Sequence, residues 1–113
     1  MTATDRPLRF RRLPLADVAS HRVPVAVTFV SRALGLALLS AERIGDGLLI
    51  PRCRSVHTFG MRAPLDLVFL DAAMAPLSVR RAVPANRVVR EPLASAVVEL
   101  PAGVAFRRSG GRC

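Results

Sequence analysis

The sequence predicts a small, mainly β domain: a sandwich or barrel-like fold with one short helix. Two observations carry that prediction. Six or so short runs of β-branched and large apolar residues recur at roughly ten-residue spacing, separated by Pro, Gly and Asp signals. Only the segment after Ser31 has a helix-forming composition. Length sets the domain count. At 113 residues and 51% hydrophobic content, the chain has enough apolar side chain for one core and too little length for two. Phe is its only aromatic residue, so that core is aliphatic.

Residues 1–22 carry five arginines and two prolines with little periodicity. They read as a loosely ordered basic segment preceding a single domain over 23–113. Residues 23–30 are rich in β-branched side chains and read as a strand, with Pro24 at a tolerated first or edge position. Ser31 then caps a short helix through residue 39, in which Gly35 costs about 1 kcal/mol relative to Ala. Gly45-Asp46-Gly47 is a turn; it lacks the spacing of a phosphate-binding loop. Residues 48–50 form a short buried strand stopped by Pro51.

Residues 65–70 are the clearest strand. They are apolar on both faces except for Asp66, as expected of a strand that is central or covered on both sides. Asp71 begins a turn into a strand over 77–83, broken by the Pro84-Ala-Asn86 segment. Val88-Val89 starts another strand, Pro92 opens a turn, and residues 96–100 form a further strand ended by Pro101-Ala-Gly103, after which residues 104–106 continue briefly.

The net charge of +9 comes from 17 basic residues, all of them arginine. Guanidinium groups suit phosphates and other anions. Here they are spread along the whole chain, beside an excess of Ala, Val, Leu and Pro, and compositional bias explains them better. With no Tyr or Trp to stack on bases, nucleic-acid binding is the disfavoured alternative. No run of about 20 uninterrupted apolar residues exists, so no membrane span is expected. Cys53 and Cys113 read as free thiols in a reducing compartment, and a cytoplasmic location is the default, with an exported form left open.

Chemistry concentrates in residues 53–71. Cys53, His57 and Asp66 offer a thiol, an imidazole and a carboxylate. Together they would suit a metal site lacking its fourth ligand, or a thiol nucleophile with a base and an orienting acid. Along an extended chain, residues four apart lie about 13 Å from each other, so Cys53 and His57 meet only if the chain turns before Val56. Asp66 is the most informative residue. A carboxylate in an apolar strand has to be answered by hydrogen bonds or an ion pair. Arg62, His57 and the backbone amides of a neighbouring loop are the candidate partners. Ser55 and Thr58 add hydroxyls, and Met61 adds an apolar wall.

The run from Ser55 to Asp71, with its His57-Thr-Phe-Gly-Met-Arg and Pro64-Leu-Asp-Leu-Val-Phe-Leu, together with Glu99-Leu-Pro-Ala-Gly103, resembles the domain of unknown function 192 family. The segment from Arg32 to Leu36 is similar to that family's arginine, glycine and leucine stretch. The resemblance covers residues 23–104 and implies a small, mostly β fold with no established activity. The family's recurrent positions fall on Gly35, His57, Met61, Pro64, Asp66 and Gly103. Two departures stand out. Ala63 occupies a place where an aromatic is common, and the chain ends where the family adds a further turn and strand, which would leave an edge exposed.

The resulting expectation is a non-catalytic binding or accessory domain without a cofactor. A small groove around His57, Met61 and Asp66, bordered by Ser55, Thr58 and Arg62, would accept a small ligand or a peptide segment. A metal- or thiol-dependent enzyme using Cys53, His57 and Asp66 is the alternative.

Overall fold

The structure, a computed structural model, describes residues 13–18, 21–26 and 47–103. These residues form eight strands: β1 (Leu15–Val18), β2 (His21–Pro24), β3 (Leu48–Pro51), β4 (Ser55–His57), β5 (Leu65–Leu70), β6 (Pro76–Val83), β7 (Val88–Arg90) and β8 (Ala96–Pro101). Four of them make the main antiparallel sheet in the order β3-β8-β5-β6. The other four form two antiparallel ribbons, β1–β2 and β4–β7. Neither the sheet nor the ribbons close into a barrel.

The main sheet is apolar on both faces because β5 and β8 lie at its centre. Every residue of β5 is buried, as the unbroken apolar run predicts. On one face Leu48, Ile50, Leu65, Leu67, Phe69 and Val97 pack with Val56 of the β4–β7 ribbon. On the other, Leu49, Val68, Leu70, Val98 and Leu100 pack with Val18 and Val23 of the β1–β2 ribbon. The described part of the chain is therefore a sheet covered on each side by a two-stranded ribbon, in keeping with the mainly β expectation.

Several elements differ from the sequence reading. Residues 15–18 and 21–22, expected in a loose segment, are strand. Leu15, Asp17 and Arg22 are exposed, while Val18 and Val23 on the opposite face of the ribbon are buried on the sheet and hold it there. That tertiary contact has no local signature. Strand β4 was not foreseen either, being three residues long with polar residues at both ends. The helix expected over 31–39 lies outside the described residues, as do residues 27–30 of the strand expected over 23–30, Gly35 and Cys113.

Two turns show how local chemistry fixes the topology. Asp71 accepts hydrogen bonds at Oδ1 from the amides of Ala73 and Ala75, at 2.9 and 3.0 Å, and so closes the β5–β6 hairpin. Gly47 enters β3 with φ +95° against β8, where an added Cβ would collide with the carbonyl oxygen of Glu99 and approach Leu100 Cδ2 at 2.7 Å. Both the backbone angle and the space call for glycine. Gly47→Ala is expected to lower the unfolding free energy by about 2 kcal/mol or more. Urea titration checks this, and an unchanged midpoint would contradict it.

Candidate functional site

The centre of the candidate region is the fully buried Asp66. Among the described residues its carboxylate is answered by backbone amides. Oδ1 accepts from the Ala82 amide at 2.9 Å and Oδ2 from the Gly103 amide at 2.7 Å. Opposite Asp66 the β5–β6 register slips: Leu65 faces Val83 and Leu67 faces Arg80, so Arg81 and Ala82 share one place in the ladder. This is a β-bulge, and it turns the Ala82 amide toward the carboxylate. Ala82 adopts φ +52° to do so, a left-handed conformation that costs a non-glycine residue about 1–3 kcal/mol. Gly103, at φ +90°, delivers the second amide from the turn that ends β8. Each charge-assisted bond contributes about 1.5–3 kcal/mol, enough to hold the bulge in place.

The remaining sequence candidates sit elsewhere. Along β4 and just beyond its end the side chains alternate: Val56 inward, His57 outward, Thr58 inward, Phe59 outward. Thr58 is fully buried. Its hydroxyl donates to the Pro84 carbonyl at 2.7 Å and accepts from the Arg87 amide at 2.9 Å. Its own amide donates to the Arg87 carbonyl at 2.9 Å, and its carbonyl accepts from Met61 and Asn86. His57 and Phe59 flank this anchor in solvent, their rings stacked with centroids 5.4 Å apart and planes 24° apart. Phe59 is 52% exposed. Met61 is half-buried against the ribbon-covered face of the sheet, and Arg62 is exposed in the loop before β5.

Asp66 and His57 thus do not meet, and among the described residues no ion pair joins Asp66 to Arg62. Cys53 packs partly against the same covered face, and its thiol donates to the Ser55 carbonyl at 3.3 Å. Among the described residues no three His, Cys, Asp or Glu side chains gather as a ligand set for a metal. The Cys53–His57–Asp66 arrangement required by the enzyme alternative therefore lacks its carboxylate, both of whose oxygens are committed to strand geometry. Among the described residues no helix is long and apolar enough to cross a membrane.

Two residues escaped the sequence reading. The exposure of Phe59 has no sequence mark, since a phenylalanine in an apolar stretch reads as core. Glu99 is buried on β8, opposite Leu48 and Leu67. It carries the same signal that singled out Asp66, an acid within an apolar strand.

A mainly β domain with a carboxylate-pinned bulge and an exposed ring pair is the class of protein that this geometry defines. The family model for DUF192, described as "Uncharacterized ACR", matches residues 14–109, and the chain belongs to that family. A UPF0127 protein of Thermococcus sibiricus is 31% identical over 91 residues, which cover 77% of this chain and 59% of that relative. The chain therefore spans well under two thirds of that curated relative's length. Two solved structures share the fold. A protein of unknown function from Novosphingobium aromaticivorans gives a TM-score of 0.62 at 19% identity, covering 82% of this chain and 74% of its own. A Sinorhizobium meliloti protein, described as a candidate transcription regulator, gives 0.63 at 22% identity, covering 80% and 74%.

Asp66→Asn keeps one acceptor and sets an NH2 group against a backbone N–H. It is expected to reduce stability by about 2–4 kcal/mol. Denaturant unfolding measures this, and a variant as stable as the wild type would show that the two amide bonds carry no weight.

Proposed function

We propose that this chain is a non-catalytic binding or accessory domain whose contact surface is the His57–Phe59 step, with Met61 beside it and Arg62 at its margin. The occupant is a small ligand or peptide segment that lays a flat apolar group against the two rings. One observation carries the reading: a stacked, solvent-facing imidazole–phenyl pair held on either side of a buried, multiply hydrogen-bonded threonine. Leaving Phe59 half exposed forgoes about 1–1.5 kcal/mol of burial, while the anchored Thr58 sits between the two rings in the chain. Such rigid aromatic surface binds at a low ordering cost. Within this reading Thr58 and Asp66 are framework, and Ser55 borders the step along β4.

The test is a thermal-shift and titration screen of the full chain against planar heterocycles and Phe- or Trp-containing peptides. Phe59→Ala should leave the unfolding free energy within about 0.5 kcal/mol of wild type and weaken any retained probe about tenfold or more. Retention of the same probes by Phe59→Ala and His57→Ala with unchanged affinity would contradict the proposal, as would a screen in which no probe is retained.

A further inference from the structure

A second feature lies at the other end of β4. The connection from β3 to β4 and the connection from β7 to β8 face each other across an open concavity of about 580 Å³, lined by Arg52, Cys53, Arg54, Ser55, Ala94 and Ser95. We propose that this concavity binds a small organic molecule through a phosphate or carboxylate group.

Three observations support an oxyanion. The first is charge. Arg52, Arg54, Ser55 and Ser95 are among the residues that line the space, and none of the described lining residues is acidic. The nearest acid in sequence, Glu91, is drawn toward β6, where its Oε1 accepts from Ser78 Oγ at 3.1 Å and lies 3.7 Å from Arg80 Nη2. Among the described residues neither Arg52 nor Arg54 has a carboxylate partner. Arginine forks bind carboxylates and phosphates through paired N–H donors.

The second is backbone conformation. Arg52 holds φ +51°, a conformation a non-glycine residue keeps only where its surroundings impose it. Here it redirects the chain after Pro51, so that four consecutive residues, Arg52 to Ser55, form one wall.

The third is rigidity. The Arg54 carbonyl accepts from the Glu91 amide at 2.8 Å, the Glu91 carbonyl from the Ala94 amide at 3.0 Å, and the Leu70 carbonyl from the Ser95 amide at 2.7 Å. Both walls are therefore tied to the sheet or to each other, an arrangement that limits the ordering cost of binding. The concavity is open to solvent and larger than a lone inorganic anion fills.

The inference does not rest on the His57–Phe59 reading, since neither ring lines the concavity, and variants at the two places separate the claims. The experiment uses the full chain with Cys113→Ser, which leaves Cys53 as the single thiol and a reporter within the concavity. Adenosine monophosphate and citrate are titrated separately at low ionic strength by calorimetry, and Cys53 alkylation by iodoacetamide is timed with and without each. Saturable binding of at least one probe is expected, with slower alkylation at saturation. Arg54→Gln should weaken that binding about tenfold, and Arg52→Gln/Arg54→Gln should remove it. Binding of the nucleotide alone assigns a phosphate, of citrate alone a carboxylate, and of both a general oxyanion. Saturable binding of neither probe would overturn the inference, and so would an affinity unchanged in the double variant.

Discussion

The fold depends on how one buried charge is satisfied. Asp66 stands fully buried in the central sheet, and leaving its carboxylate bare would cost several kcal/mol. Two backbone amides answer it instead, one from the β6 bulge and one from the turn after β8. Each of those amides is available only because its residue takes a left-handed conformation: Ala82 at φ +52° and Gly103 at φ +90°. The carboxylate therefore does more than settle its own desolvation. It selects the bulged register of β5 on β6 and fixes where β8 ends, so that three neighbouring strands are aligned by one side chain. An apolar residue at position 66 would relieve the desolvation but leave Ala82 strained with nothing to hold it.

Thr58 repeats the same logic at the ribbon. A small polar group turned inward collects the backbone groups of Pro84 and Arg87 and ties β4 to the segment between β6 and β7. With Thr58 turned inward, His57 at the end of β4 and Phe59 in the turn that follows both face outward. Inward polar groups are thus spent on geometry and outward ones are left for contact. This division explains why the polar residues of the His57–Asp66 stretch do not converge on one point. Some of them build the scaffold that presents the others.

The sequence reading reached what long apolar runs can encode. Strand β5 was legible because six residues without a polar interruption, apart from Asp66, suit a strand covered on both faces. The burial of Asp66, and the need for a partner, followed from the same pattern. The choice of partner did not follow, because a bulge centred on an alanine at positive φ has no sequence mark; a glycine there would have given one. Ribbon β1–β2 was missed because it depends on burying Val18 and Val23 against the sheet, a long-range contact among arginine-rich neighbours. Strand β4 was missed for its shortness. The resemblance placed Asp66 and Gly103 among the same recurrent positions, and the 2.7 Å bond between them gives a physical reason for the pairing.

The account is tested most directly by amide hydrogen exchange, measured residue by residue by NMR. The Ala82 and Gly103 amides lie at a bulge and in a turn, places where exchange is ordinarily fast. If the Asp66 carboxylate holds both, they exchange only through global unfolding, with protection matching that of the β5 and β8 core amides. Exchange at the rate of the exposed turns would mean that the carboxylate does not fix these strands.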